Sequence, residues 1–497
     1  MKTITIKKNI LLFALFFSFV SYVKGETYNL TLEQSIEIAK EKSYTMQKLI
    51  QQLKIADYNL KSVTSRLKTH IDMNLSLPQY AQTIQSKADS AGVFFAVENL
   101  TYSSGLTINQ PLPTDGNIFI ESGLSSLRHY TNGTMSANMS TRIRFRQPLD
   151  ALYGYSAIKT DIKNAELAYE RAEKSLKRDE LVLVSMVSRS YYSLLSSQKS
   201  AEIAQLNLER QKEAYEISKN KYEAGLIREV DALQMEVDLA EAQSNYDMAL
   251  LSQSSASNSL KDLIGIDLKD NVILSSELGY KTVAIDSNRA VELALENRLE
   301  IRDLEINTEL LKLNLKRQKV QGMIRGELNA YVEKTGFSLS DSNMQLAHSI
   351  NNSYDNFLDR PYGYGVGLTI RIPIFDWGEN RALVRSAEAR LKQSVLEKED
   401  SQRNIETEVR NLVASTESNL KRLQLLEKNV AVAEKSFEIT LQRFSDGDID
   451  SQALALERNR LNNAYTSHLG AYIQYQVTLT DLMRATLYDF QNEDPVN

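Results

Sequence analysis

Proline is missing from two long stretches of this 497-residue chain, and its absence limits the folds that are open to it. A proline inside a helix costs about 3 kcal/mol or more, so long proline-free tracts rich in Ala, Leu, Glu, Lys and Gln predict helix. Apart from Pro495, the prolines flank or lie in two zones, about 69–148 and 327–375, which are predicted to interrupt the helices. These prolines are Pro78, Pro111, Pro113, Pro148, Pro361 and Pro373.

The helix predicted from about residue 155 is too long for a compact domain. Its apolar and small residues recur in steps of three, four or seven, which keeps them on one face. It runs to about Tyr222 and would be about 100 Å long at 1.5 Å per residue. The helices alone would also fit a soluble coiled-coil rod.

The first 25 residues are predicted to be a secretory signal peptide. Lys2, Lys7 and Lys8 precede the apolar residues 10–20, and Gly25 closes the segment. An uncleaved anchor is the alternative, although the apolar run is shorter than the roughly 20 residues of a membrane-spanning helix. Nothing later in the chain is apolar enough for such a helix, so any membrane crossing must use strands.

Charge and cysteine content exclude several functions. Removing the four lysines of the signal peptide takes the formal net charge from −6 to about −10, which gives no electrostatic basis for a nucleic-acid partner. The chain contains no cysteine, so it has neither a disulfide, nor a reactive thiol, nor a lipid-anchor site.

Two parts of the chain resemble each other. "SIEIAKEKS" (35–43) is similar to "AVELALENR" (290–298), "RFRQPL" (144–149) to "TIRIPI" (369–374), and "YEAGLIREVDAL" (222–233) to "FSDGDIDSQALA" (444–455). We therefore predict two repeats, 26–265 and 288–490, joined by a linker at 266–287 and followed by a tail at 491–497. Each repeat is read as helix, strand, loop, strand, long helix, turn and helix. The first β-zone has about thirty extra residues, which form either external loops or a further hairpin.

The two proline-containing zones alternate apolar and polar residues with a strand's period of two. Val366, Leu368 and Ile370 alternate with glycine, Thr369 and Arg371. Ten-residue segments of this kind are typical of a transmembrane β-barrel, although an amphipathic sheet on a soluble core remains possible. With two strands per zone, one chain cannot close a barrel, because about eight strands is the observed minimum. Three copies would supply twelve.

The ends of these segments suggest membrane boundaries. Aromatic residues gather there, as they do at membrane–water interfaces; they are Tyr153, Tyr155, Tyr362, Tyr364, Phe375 and Trp377. Pro148 and Pro373 are expected to bend each strand where the helix begins. If the apolar positions face lipid, the residues that face the barrel lumen are Arg142, Arg144, Arg146 and Arg371.

This combination of repeats, strand–proline–helix junctions and glycine turns resembles the TolC family of outer-membrane efflux proteins, also called outer membrane factors. The resemblance covers essentially the whole mature chain. It implies a mostly α-helical protein with a β membrane segment, in which three chains form a twelve-stranded barrel continued by a long periplasmic α-helical barrel. It also implies a Gram-negative outer-membrane export channel that reaches into the periplasm, docked by a periplasmic adaptor and an inner-membrane transporter.

In that family the adaptor meets the periplasmic tip, which is the helix-to-helix turn of each repeat. The matching residues of the first repeat are Tyr222, Ala224, Gly225 and Leu226, and Asp231 matches a position that lines the closed entrance. Glycine suits such a turn because it adopts positive φ without steric cost.

The second repeat departs from the family pattern. It keeps Phe444 and Gly447, but Ala453 stands where the family usually has an acidic constriction residue. Asp446, Asp448 and Asp450 form either a replacement ring of carboxylates, which would favour cations, or a solvated acidic turn.

Signals for catalysis or metal binding are weak throughout. "GYGVGL" (363–368) lies in a strand and lacks the context of a nucleotide loop, and the four histidines have no metal-ligand spacing. We therefore expect no enzyme activity, metal or cofactor. Two alternatives to a small-molecule efflux channel stay open: a type I protein-secretion outlet, and a periplasmic coiled-coil scaffold.

Overall fold

The computed structural model describes residues 27–86, 94–274 and 279–495, together with Gly92. The predicted signal peptide lies outside these residues. The chain divides into two compact units, and each combines segments from both halves of the sequence. We call residues 52–174 and 300–400 the sheet unit, and the described parts of 27–51, 175–299 and 401–495 the helical unit.

Helices make up most of the described chain, and the proline-free tracts hold the two longest. They are α1 (Leu32–Lys42), α2 (Tyr44–Ser65), α3 (Ala157–Glu223), α4 (Glu229–Ile264), α5 (Ser287–Asn297), α6 (Leu299–Gln321), α7 (Leu346–Asp359), α8 (Glu379–Asp446) and α9 (Ser451–Thr486). Helix α3 has 67 residues and α8 has 68. No helix among the described residues is both long and apolar enough to span a membrane.

Six strands form one antiparallel sheet in the sheet unit. They are β2 (His70–Ser86), β3 (Phe94–Pro111), β4 (Asn117–His129), β5 (Thr134–Pro148), β7 (Arg325–Asp341) and β8 (Gly363–Arg371), paired in the order β2-β3-β4-β5-β7-β8. The short strands β1 (Thr27–Leu30) and β6 (Asn271–Leu274) form a parallel pair in the helical unit, and β9 (Tyr488–Asp489) pairs with β10 (Asp494–Pro495).

The strand count corrects the prediction from sequence. Two strands are expected in the first zone, whereas the described residues of that zone form four, so the described chain contributes six strands to the sheet instead of four. The extra residues are a further hairpin, not external loops. Its turn is short: Leu112 N–H donates to the carbonyl of Gly116, 2.8 Å away, and Pro111 ends β3 opposite Asn117.

The two halves of the chain share a general order of elements, although the first has four consecutive strands and the second has two with α7 between them. Two helices precede the strands, a long helix follows them, and a turn leads to the last helix. Local signals fix the helix starts: the Thr31 hydroxyl and the Gln34 side chain cap α1 reciprocally, and the Asp286 carboxylate accepts from Asn288 N–H at the start of α5. The duplication and its boundaries stay a prediction, in agreement with this order.

Apolar burial in the helical unit centres on α9. Its buried residues include Tyr475 and Leu482, neither of which has any measurable exposure. The Tyr475 hydroxyl donates to the carbonyl of Lys281 at 2.8 Å, so the ring is buried with its polar end satisfied.

Candidate functional site

The six-stranded sheet has one charged face and one apolar face. Arg142, Arg144 and Arg146 alternate along β5, and the strand register puts Glu121 of β4 and Glu333 of β7 opposite Arg142 on the same face. The sheet therefore carries a band of charge on this face near the strand–helix junctions, whereas Arg128 and Lys334 lie on the other face, toward the opposite end of the strands.

The three arginines of β5 are paired with carboxylates of neighbouring strands. Arg142 Nε donates to Glu333 Oε2 at 2.7 Å, Arg144 pairs with Glu121 at 2.6 Å, and Arg146 pairs with Glu327 at 2.6 Å. These glutamates were not identified from the sequence, because they become neighbours only through the register. The predicted Arg371 lies on the same face of β8, opposite Arg325 of β7.

The other face is mainly apolar, and much of it is open to the surroundings. Val366 is 77% exposed and Ile71 is 65% exposed, at opposite edges of the sheet. Large exposed apolar patches are rare on soluble monomers and mark contact with a partner or a membrane.

Helix α7, between β7 and β8, packs on one end of the apolar face. A Cβ atom on Gly336 would lie 2.1 Å from the carbonyl oxygen of Ser353, so only glycine permits this approach. The Ser338 hydroxyl donates to the carbonyl of Ser349 at 2.6 Å. Neither the helix nor its small-residue contact was predicted.

The first strand–helix junction is held by the extra hairpin. Pairing of β5 ends at Pro148, and a 3-10 turn (Leu149–Tyr153) leads to α3. Asp115, in the β3–β4 turn, accepts hydrogen bonds from the N–H groups of Ala157 (2.6 Å) and Ile158 (2.8 Å). The hairpin therefore caps the N-terminus of α3, where a carboxylate is favoured.

The second junction carries its own cap and two exposed aromatic rings. Pairing of β8 ends at Arg371, two residues before Pro373. Asp376 accepts from the N–H groups of Gly378 and Asn380 at the start of α8, and these hydrogen bonds hold the pKa of its carboxyl below the usual value. Phe375 and Trp377 stack edge to face with ring centroids 4.8 Å apart, and Trp377 is 91% exposed.

Both predicted tip turns contain a glycine in the left-handed region. Gly225 has φ +71° and Gly447 has φ +88°. Leu226 N–H donates to the carbonyl of Lys221 at 2.8 Å, and Asp448 N–H donates to that of Arg443 at 2.9 Å. This six-residue closure is the Schellman motif, in which glycine ends a helix.

The two turns differ in what they expose. Tyr222, Ala224 and Leu226 lie on the surface of the first turn. Phe444, in contrast, is only 3% exposed, and the Lys221 ammonium lies 4.7 Å from its ring centroid and bonds its carbonyl. Its ring therefore shapes the second turn from within.

The acidic residues of the tip have different surroundings. Asp231 accepts two hydrogen bonds of 3.0 Å from Arg228, which lower the pKa of its carboxyl. Asp450 caps α9 by accepting from Ala453 N–H at 2.9 Å. Asp446 and Asp448 are exposed. The spacing of three residues between Arg228 and Asp231 is a local signal for this pair, which the sequence analysis did not use.

Helices α4 and α9 also border a polar groove with a volume of about 610 Å³. Arg458 of α9 and Asp238 of α4 both line it and lie 3.3 Å apart, with their side chains nearly buried. No group of three or more metal-ligating side chains is found in the described ranges.

In each half of the chain a very long helix follows the strands of a sheet with one charged and one mainly apolar face. This combination defines the class of outer-membrane channel proteins. A family profile described as "Outer membrane efflux protein" matches residues 120–266 and 336–486, more than half of the chain. The chain belongs to this family, whose members are channels and not enzymes, and it is an outer-membrane protein that reaches into the periplasm.

Individual relatives agree with this assignment. Nodulation protein T of Rhizobium leguminosarum is 23% identical over 397 residues, which cover 78% of each chain. The alkaline protease secretion protein AprF of Pseudomonas aeruginosa is 24% identical over 66% of this chain and 67% of its own.

Solved structures show the same fold at low identity. The Campylobacter jejuni CmeC outer membrane channel superposes with a TM-score of 0.67 at 15% identity, over 96% of this chain and 91% of that one. The Vibrio cholerae outer membrane protein VceC gives 0.65 at 17% identity, over 92% and 95%.

Proposed function

We propose that this protein is the passive outer-membrane duct of a tripartite export system. Three copies enclose a water-filled path, a periplasmic adaptor docks at the helix turns, and an inner-membrane transporter supplies the energy. The observation that carries the proposal is the two-faced sheet: its mainly apolar face suits lipid, and its charged face suits a wet lumen.

The junction and tip residues take roles in this proposal. Phe375 and Trp377 lie at the membrane–water boundary near the start of α8, as expected for an aromatic belt. Tyr222, Ala224 and Leu226 contact the adaptor, while Phe444 supports the second turn. Asp231, Asp446 and Asp448 surround the periplasmic entrance.

The assembly is tested first in isolated envelopes. A duct stays in the membrane after carbonate washing and migrates as a heat-sensitive trimer, whereas a periplasmic scaffold washes off. A chain that is removed by carbonate would overturn the proposal.

Docking is tested with a single cysteine, since the chain contains none of its own. A crosslinker on Leu226→Cys should capture a periplasmic protein that mass spectrometry identifies as the adaptor. The matched control is Tyr364→Cys, 82% exposed on the apolar sheet face, which should capture no adaptor. Equal capture from both positions would contradict docking at the tip.

A protein-secretion outlet is the second candidate, favoured by the similarity to AprF. Deleting the gene separates the two: an efflux duct raises the accumulation of a fluorescent efflux dye, whereas a secretion outlet removes a protein from the culture medium.

A further inference from the structure

Among the residues that the structure describes, the outer edges of β2 and β8 have no partner strand, since these strands end the order β2-β3-β4-β5-β7-β8. In a hydrocarbon layer, unpaired backbone groups at a strand edge are strongly unfavourable. A sheet with two open edges must therefore continue into another strand. A second copy of the chain supplies that strand, which rests on the three-copy assembly of the proposed function.

The charged face leaves complementary charges at these two edges. Asp72 of β2 lies on this face, because its register partner Thr107 is opposite Glu121. Arg371 of β8 lies opposite Arg325, a like-charged pair that is unfavourable without an anion nearby. No ion pair joins Asp72, Arg325 or Arg371 to another side chain within the part of the chain that the structure describes.

The strand ends indicate how two copies would align. One cross-strand row joins His70 of β2 to Gly365 of β8. The four positions between them, on β3, β4, β5 and β7, are Asn109, Phe119, Arg144 and Tyr331. Strand β2 begins at this row, whereas β8 continues six residues past it to Arg371. Across the five strand pairs from β2 to β8, the strand ends nearest the long helices therefore shift by six residues relative to this row.

If the helix-side strand ends of all copies lie at the same height in a closed ring, β8 must pair with β2 of the next copy at a register offset of about seven residues. The offset must also be even, because an odd one would place the charged face of one copy beside the apolar face of the next. A shift of six places Arg371 opposite His70 of the next copy, and a shift of eight places it opposite Asp72. Opposite charge selects eight. Over eighteen strands this shift gives a strand tilt of about 43°, inside the range of about 35–45° found in such barrels.

We propose that β8 of each copy pairs antiparallel with β2 of the next, with Arg371 facing Asp72 of the neighbouring copy. Residues 367–371 then lie opposite residues 76–72, below the bulge at Leu77 and Pro78. Ile370 and Leu368 face the same side as Met73 and Leu75, so the apolar face continues across the seam.

Three copies joined in this way form a wall of eighteen strands, six more than the twelve that four strands per chain would give. At equal tilt, barrel width grows nearly in proportion to strand number. The backbone ring is then about 37 Å across, against about 25 Å for twelve strands. The added hairpin thus makes an outlet wide enough for bulky cargo.

The seam is tested by disulfide formation in the naturally cysteine-free chain. Asp72→Cys combined with Arg371→Cys should give a covalent trimer when intact envelopes are oxidised. The matched control is Ile71→Cys with Arg371→Cys, whose side chains point to opposite faces; its yield should be at least about tenfold lower. Carbonate washing confirms that both variants are inserted.

A charge exchange tests the same contact independently. Asp72→Arg should lower the yield of heat-stable trimer several-fold, and adding Arg371→Asp should restore it. Top views of the crosslinked trimer by electron cryomicroscopy should show the wider ring.

Equal crosslinking of the control pair, no rescue by the exchange, or a twelve-strand diameter would each overturn the proposal. Crosslinking measures the contact between copies and does not depend on export. The deletion assay measures export, so a failure of the proposed function is distinguished from a failure of this contact.

Discussion

At the scale of residues, the tip turns depend on two backbone conformations that suit glycine. Gly225 and Gly447 have positive φ, and a Cβ atom added to either would meet no atom within 4 Å. The requirement therefore comes from the backbone torsion and not from crowding.

Replacing Gly225 by alanine should destabilise each chain by about 1–2 kcal/mol, the cost of a left-handed conformation for an L-residue. Gly470 is the matched control: it lies inside α9 with open space around it. Gly470→Ala should stabilise the helix by about 0.5–1 kcal/mol. Unfolding midpoints of the purified protein measure both, and a shift of the same sign for the two variants would contradict the explanation.

The sequence predicted these glycine turns because Schellman closures have a local signature. It could not predict the neutralising partners of the charged site. Glu121 meets Arg144, and Glu327 meets Arg146, only through the strand register. Local pattern fixes a turn, whereas pairing across strands depends on the whole sheet.

At the scale of elements, the β3–β4 hairpin is tied to α3 by one side chain. Asp115 has φ +64° and bonds the first N–H groups of the helix. It thereby couples the hairpin that enlarges the sheet to the helix that leaves it.

Asp115→Ala should therefore remove the helix cap, at a cost of about 0.5–2 kcal/mol, and speed protease cleavage in the 112–116 turn. Asp115→Asn is the control, since asparagine tolerates positive φ and its single amide oxygen still accepts from one of the two N–H groups, so the turn should be cleaved more slowly than in Asp115→Ala. Limited proteolysis followed by mass spectrometry measures the cleavage rate. Equal rates in the two variants would show that the cap does not hold the turn.

This hairpin was also the element that the sequence left undecided. The alternation that revealed β8 is broken in β3 by Ser103, Ser104 and Gly105, which place small residues on both faces. The long helices were predicted because a proline-free tract constrains every residue in it. The hairpin lacked such a continuous signal.

Helices α3 and α6 are joined in the sheet unit by a charged network that should respond to pH. Arg302 donates to Glu170 at 2.7 Å, and this hydrogen bond holds the pKa of the Glu170 carboxyl below its usual value. Because the folded-state pKa is the lower one, the stabilisation is complete above the unfolded value of about 4.3. It is lost as the pH falls through the folded-state value.

The unfolding temperature should therefore fall between about pH 5 and about pH 3, and part of this fall should disappear in Glu170→Gln. The matched control is Glu173→Gln, which removes one negative charge from the same helix and leaves the hydrogen bond between Arg302 and Glu170 in place. A pH profile of Glu170→Gln that matches that of the unaltered protein would contradict the role of the pair.

At the scale of the whole molecule, the charged face determines how ions pass. Arg144→Glu replaces a positive charge by a negative one, which changes the net charge of this face by two units per copy. It also leaves Glu121 without its partner. Reversal potentials in planar bilayers should then shift toward cation preference. The exchange Arg144→Glu with Glu121→Arg keeps the charge and should leave selectivity as it was; identical potentials for the single and exchanged variants would place this face outside the ion path.

The open edges of β2 and β8 have a further consequence for inheritance. A copy whose β8 edge cannot pair still has a β2 edge that pairs normally. It therefore enters a trimer but prevents the barrel from closing. With equal amounts of faulty and intact chains, only about one ring in eight would contain intact copies alone. Mutations of Arg371 should thus be dominant-negative for export, whereas loss of the gene would be recessive.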